Sequence, residues 1–495
     1  MLLGILLTVT VERADASREL PASKPETEYQ TPNYRSLPRI GAMDAVNPAT
    51  GERVDSYDAH TEHEVDDALE RASVDFEDWR ERPMRDRERL LESVADTLRE
   101  NEGEYAETMT REMGKPVEQA VAEVEKCALC CDHYAEHASA YLGADHHPSP
   151  PGSSAKTVHE PLGPVLAVMP WNFPFWQVFR FAAPSLTAGN VGLLKHASNV
   201  PGCALAIESV FRDAGYPEGV FQSLLIPSER VEPVLADDRV RAATVTGSGP
   251  AGRAVAATAG DHLKKTVLEL GGSDPFVVLD DADVAAAAET GAWARNQNGG
   301  QSCIAAKRFV VHTDVYDEFL RRFTDEFESL VVGDPMDDGT DLGPQARPEL
   351  LSDLHDQVTA SVDAGATVVT GGEPLDRAGA FYPPTILTDV PEGCPVDSEE
   401  TFGPVAAVYE VADESSAVEL ANDTEFGLGA SVWTEDRDRG ERVAGRIDAG
   451  CVYVNQLVKS DPRVPFGGVN DSGYGRELAG AGIREFVNRK TVWVE

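Results

Sequence analysis

From residue 62 to 142 apolar side chains recur three and four positions apart, as at Val121, Val124, Ala128, Cys131 and Ala135, a spacing that predicts helices along the whole stretch. The run HHPSPPGSS at 146–154 ends it, because prolines withdraw the backbone donors a helix needs. Beyond this break, short β-rich runs alternate with helical ones. TVHEPLGPVLAVMP reads as strands, PFWQVFRFAAPSL as a helix, NVGLLKHA as a strand and CALAIESVFRDAG as a helix; FQSLLIP, VRAATVTG and KTVLELGG continue the strand series. Such alternation predicts a parallel sheet covered by helices. A second series begins at PFVVLD (275–280) and passes through a helix ending at Gln297, the strand KRFVVH and the helix YDEFLRRFTDEFESL, which requires a second α/β unit. The final TVWVE is a lone strand that pairs either with TVHE near 157 or with another subunit's sheet.

At 495 residues the chain has the length for two or three structural units and a site enclosed between them. Acidic side chains number 85 against 43 basic ones, giving a net charge of −42 that is spread along the chain. Nucleic acid is therefore not an expected partner, since little here neutralises phosphates. The same excess predicts a strongly hydrated, halophile-like surface suited to high salt. The seven cysteines (Cys127, Cys130, Cys131, Cys203, Cys303, Cys394 and Cys451) are odd in number and show no disulfide framework, which predicts a cytoplasmic location. Residues 1–11, MLLGILLTVTV, are apolar, but no Lys or Arg precedes them and they are too short to span a bilayer, so no membrane partner is expected. Residues 1–42 read as an N-terminal extension, either a loose tail or a targeting segment, with regular patterning starting near Met43.

Candidate chemistry sits in a few stretches. In NGGQSCIAAKR, Cys303 follows two glycines and a polar pair; the reading is a nucleophile approached by substrate and backbone amides, or a buried core thiol. In PWNFP, Asn172 stands between an apolar strand and a helix, where its amide serves either a developing oxyanion or the helix as a cap. In LELGG, Glu269 ends an apolar strand, as a desolvated base or an ordinary strand-end Glu. TGSGPAG carries a G-x-G-x-x-G pattern at Gly247, Gly249 and Gly252 in the right strand-to-helix context for a dinucleotide phosphate turn. The ribose-binding acid expected about twenty residues on is Glu269, already given another task, so binding in the ordinary Rossmann manner is not expected. CALCC with His133 and His137 falls on the apolar stripe of a helix, where thiols pack as small hydrophobes; no metal is expected.

Taken in order, PWNFP, LLKHA, VTGS, LELGG, GQSC, EETFGPV and PFGG with SGYGRE extend over most of the chain, and in them it resembles the aldehyde dehydrogenase superfamily. PWNFPFWQVFR, LLKHASNV, LELGGSDPF and CIAAKRF are most similar to the short succinate-semialdehyde dehydrogenases. The resemblance implies an aldehyde dehydrogenase-like α/β fold of two Rossmann-like domains plus a small β oligomerisation element. The cofactor-binding domain takes 43–142 and 162–271, the catalytic domain 272–479, and the oligomerisation element 143–161 and 480–495, tying subunits into a homodimer or homotetramer. It further implies that Cys303 attacks an aldehyde, that the Asn172 amide and the Cys303 backbone N–H hold the oxyanion, and that Glu269 activates the water that hydrolyses the thioester. NADP or NAD is the implied cofactor: Lys195 matches the adenosine-ribose lysine, Trp171, Gly247 and Ser248 lie at the phosphates, and Gly271, Glu400 and Phe402 lie at the nicotinamide end.

Ser198 stands three residues after Lys195, where many NAD-preferring relatives carry an acid, and a neutral side chain does not repel a 2′-phosphate. Arg180 and Ser460 match positions that grip the far carboxylate of succinate semialdehyde, as an Arg fork suits a carboxylate. A second substrate arginine of longer relatives is replaced by Gln297, which leaves other aldehydes open. Ala305 stands where redox-switched relatives carry a second cysteine, so no local disulfide switch is expected, and Asn470 replaces the usual Lys after PFGG. The rival readings are a catalytically silent binding or structural protein, against which the intact Cys303, Asn172 and Glu269 set speaks, and a coenzyme-A-acylating enzyme, against which Glu269 speaks.

Overall fold

The structure, a computed structural model, describes residues 41–495. The apolar leader and nearly all of the extension 1–42 lie outside the described residues; the described chain opens on the strand Ala42–Val46, which pairs antiparallel with Arg53–Asp58. The predicted helical stretch is four helices, Glu62–Glu81, Met84–Glu100, Glu102–Met113 and Val117–Tyr141. The first is started by a capping box in which the Thr61 side chain and Glu64 satisfy each other's backbone N–H groups. Cys127, Cys130 and Cys131 are fully buried in the fourth, so the thiols of CALCC pack as core.

Two sheets carry the rest. The first runs Gly473–Tyr474, Lys265–Glu269, Ala242–Thr246, Pro164–Met169, Val191–His196, Phe221–Ser223, with every pairing parallel except that of Gly473–Tyr474. Its inner strands are mostly buried and rich in Val, Ala and Leu, because helices cover both faces of a parallel sheet. FQSLLIP contributes only Phe221–Ser223 as strand, shorter than its apolar run predicts. The second sheet orders Thr367–Thr370, Thr385–Thr388, Val405–Val411, Ala306–His312, Asp274–Val278, Gly429–Trp433 and Cys451–Val454, again parallel apart from its first pair. Gly473–Tyr474, which follows the second series in sequence, thus returns to edge the first sheet.

A third, three-stranded sheet joins Asp145–His147, Ser154–Pro161 and Val487–Val494. The lone C-terminal strand pairs within the chain, Thr491 opposite Thr157. No helix among the described residues is long and apolar enough to cross a membrane.

Candidate active site

In the first sheet the chain steps outward from Pro164–Met169 to Val191–His196 and Phe221–Ser223, then crosses back to lay Ala242–Thr246 on the other flank of Pro164–Met169. Loops leaving the two strands at this reversal diverge, and a crevice opens at their carboxyl ends, where open α/β sheets take ligands. A cleft of about 360 Å³ lies there, with Trp171 and Asn172 following one strand and Gly247 and Ser248 following the other. Gly271 follows the first-sheet strand Lys265–Glu269, and Cys303, Glu400 and Phe402, on segments that lead into the second sheet, close the cleft.

Ser248 is the residue before the helix Gly249–Asp261, and its side chain does not cap that helix, so the first-turn amides are free to meet an anion. Gly252, the third glycine of the pattern, serves packing: a Cβ there would lie 2.5 Å from the Leu270 side chain. Trp171 meets Phe402 edge to face, ring centroids 5.7 Å apart, forming an apolar rim.

Asn172 is buried, and its Nδ2 donates to the carbonyl of Gln301 at 3.0 Å, two residues before Cys303. Asn298, held at φ 56°, in turn donates to the Asn172 carbonyl at 2.7 Å. The loop that carries the thiol is thereby fastened to the segment that carries the amide. Lys307 supports the same loop from beneath, donating to the carbonyls of Ser302 at 3.0 Å and Cys303 at 2.8 Å and pairing with Glu400 at 3.4 Å. Glu400 also accepts from the Gly272 N–H at 3.0 Å. Burial pushes the Cys303 thiol up to about 12, while the charges of Arg180 and Lys307 pull it the other way.

Glu269 does not line the cleft itself; it ends its strand two residues before Gly271, buried, with both carboxylate oxygens lacking a hydrogen-bond partner among the described residues. A Cβ on Gly467 would stand 2.6 Å from Glu269 Oε1, so a glycine is needed beside it. Burial and the like charge of Glu477 hold the Glu269 carboxyl well above the usual range, against Arg180 and Arg476.

Lys195 and Ser198 lie at the carboxyl end of the neighbouring strand Val191–His196, outside the cleft proper. Lys195 is buried and reaches Ser228 Oγ at 3.5 Å, while Ser198 is exposed. Arg180 has a partner that its sequence neighbourhood conceals: its Nε lies 2.6 Å from Glu477, both side chains buried, and its guanidinium stacks on Phe466 at 4.8 Å. Ser460 accepts from Trp176 Nε1 at 2.8 Å and from Lys126 Nζ at 3.0 Å.

Residues 38–492 match the aldehyde dehydrogenase family. The chain is 52% identical over 453 residues to a probable NADP+ succinate-semialdehyde dehydrogenase of Synechocystis, covering 92% of this chain and all of that one. The chain belongs to the aldehyde dehydrogenase family. It is also 51% identical over 452 residues to the NADP+ succinate-semialdehyde dehydrogenase of Mycobacterium avium, covering 91% and 96% of the two chains. Among solved structures, the succinic semialdehyde dehydrogenase of Streptococcus pyogenes in complex with NADP+ superposes with a TM-score of 0.89 at 38% identity, over 91% of this chain and 99% of that one.

In this aldehyde dehydrogenase two lysines make contacts that the sequence does not announce, Lys307 beneath Cys303 and Lys126 against Ser460. Lys307 lies four residues after Cys303 within CIAAKR, and Lys126 directly precedes the cysteines of CALCC; in sequence each looks like an ordinary solvated cation. Asn470 adopts φ 55° at the start of a short 3-10 turn, a left-handed conformation that Asn tolerates far better than most side chains.

Proposed function

We propose that this aldehyde dehydrogenase oxidises succinate semialdehyde to succinate with NADP+ as acceptor. The observation that carries the reading is one cleft, at the switch point of a parallel sheet, shared by the Cys303 thiol and the Asn172 amide, with the unpartnered Glu269 buried just behind it.

The cleft fits a dinucleotide. Gly247 and Ser248 at the uncapped helix start suit the phosphates, Trp171 and Phe402 flank an apolar entrance, and Glu400 is ready for the nicotinamide-side ribose. When bound, the nicotinamide supplies the hydride acceptor. Lys195 serves the adenosine ribose, and the neutral Ser198 tolerates a 2′-phosphate. Cys303, once deprotonated, adds to the aldehyde carbon, and the resulting oxyanion accepts hydrogen bonds from the Asn172 amide and the Cys303 N–H. Loss of hydride from that carbon leaves a thioester on Cys303. Glu269, kept basic by burial, takes a proton from water as the water attacks the thioester, and the sulfur departs. Arg180 and Ser460 belong to the substrate end.

The division into a cofactor domain (43–142 with 162–271), a catalytic domain (272–479) and a pairing element (143–161 with 480–495) is part of this reading. The strand Val487–Val494 is mostly exposed along its length, which supports contact with a second copy in a homodimer or homotetramer. Seven free cysteines support a reducing, cytoplasmic setting. Steady-state rates with succinate semialdehyde and butanal, each with NADP+ and NAD+, test the proposal. A higher kcat/KM for the semialdehyde and for NADP+ is expected; equal or better turnover of butanal rejects the substrate, and equal or better turnover with NAD+ rejects the cofactor preference.

A further inference from the structure

Three successive carbonyls of the thiol loop are each fastened by a side chain. The Gln301 carbonyl accepts from Asn172 Nδ2 at 3.0 Å and from Asn298 Nδ2 at 3.2 Å. The carbonyls of Ser302 and Cys303 accept from a single group, Lys307 Nζ, at 3.0 and 2.8 Å. The N–H of Cys303, by contrast, has no acceptor among the described residues. A trans peptide points its C=O and its N–H in opposite directions. The ammonium that draws the Ser302 carbonyl to itself therefore turns the N–H of the same peptide, which is that of Cys303, away from Lys307. Cys303 lines the cleft and Lys307 does not, so the N–H is left on the cleft's side of the loop.

Lys307 reaches this place through a slip in the second sheet. Asp274 pairs with Ala306 and Pro275 with Arg308, which leaves Lys307 as an extra residue between two registered pairs, and such a slip re-aims a side chain. Its side chain is 1% exposed, and Glu400, 3.4 Å from the ammonium, supplies the counter-charge that its burial requires. A carbonyl bonded to an ammonium is strongly polarised, and that polarisation passes along the peptide to make its N–H a better donor.

We propose that Lys307 is a positioning residue for the reaction: by holding the Ser302 and Cys303 carbonyls it aims the Cys303 N–H into the cleft and strengthens it as a donor to the oxyanion. This rests on the Cys303 chemistry given above and adds to it a cation that acts through the backbone without touching substrate.

Two reagents that need no nicotinamide separate this role from simple support of the loop and from tuning of the thiol. The Cys303 thiolate attacks the carbonyl carbon of p-nitrophenyl acetate, passes through a tetrahedral oxyanion and expels p-nitrophenolate, leaving an acetyl thioester. The same thiolate displaces iodide from the methylene carbon of iodoacetamide, and no oxyanion forms. In Lys307→Met the burst of p-nitrophenolate should slow at least about tenfold more than the alkylation, because a misdirected donor is lost only to the oxyanion. Lys307→Gln, which keeps an amide donor without the charge, should show the same inequality to a smaller degree, and it carries the test if the Met variant does not fold. Equal slowing with both reagents, or slowing with neither, overturns the role of Lys307 and leaves Cys303 as the nucleophile. A burst that persists in Cys303→Ala overturns the thiol chemistry itself.

Discussion

Glu269 shows how a single side chain can be readable in kind and not in energy. Its place at the end of an apolar strand, within LELGG, marked it as a candidate base, but only the fold shows the like charge of Glu477 beside it and two carboxylate oxygens without partners. Because its carboxyl is raised in the folded state, the stability it contributes is complete below the ordinary Glu range and is lost as pH climbs through the raised value. Glu269→Gln removes that loss, so the variant should melt about 2 °C above wild type at alkaline pH and show no such gain near pH 4. The same variant should give a burst of about one NADPH per subunit and then turn over at least about a hundredfold more slowly, since the thioester forms without its hydrolytic base. Coincident melting curves at every pH would remove its effect on stability, and a wild-type steady state would remove it as the hydrolytic base. Arg180 teaches the converse. Its sequence setting implied that it was kept for a ligand, and the fold adds Glu477, nearly three hundred residues away, at 2.6 Å from its Nε.

At the scale of elements, the helix Trp176–Thr187 starts without a side-chain cap of its own. Glu123, from the middle of Val117–Tyr141, supplies one instead, accepting from the N–H groups of Phe175 and Trp176 at 2.9 Å each, and is itself paired with the buried Lys115. This arrangement fixes the turn just after Asn172. Lys115→Met leaves the carboxylate buried without its counter-ion and should cost about 3–5 kcal/mol in urea unfolding. The Lys115→Met/Glu123→Gln pair should recover part of that loss, because a neutral amide oxygen still accepts from the helix start. A single variant as stable as wild type would show that the pair does not hold this turn. The helices and buried strands themselves were legible from their apolar spacing. Gly473–Tyr474 was not, since a two-residue edge strand has no period to detect, and FQSLLIP stops pairing at Ser223 although Val191–His196 runs on to His196.

For the whole molecule, a net charge of −42 repels itself across a compact surface, and added salt screens that repulsion. The melting temperature should rise by at least about 5 °C between about 0.1 M and 2 M KCl, where the screening length contracts severalfold. A temperature that stays level or falls would show that the acidic surface carries no such strain. The sequence by itself determined the family and the alternation that builds two parallel sheets, and it marked Cys303, Asn172 and Glu269 as candidates, because each is written in local spacing or in a short motif whose chemistry is local. Only the tertiary structure decided that the C-terminal strand folds back on Ser154–Pro161, that Glu477 sits against Arg180, and how Lys307 ties the thiol loop to Glu400. Charge compensation and strand pairing join residues hundreds of positions apart, and a side chain's electrostatic role is set by neighbours that no stretch of sequence contains.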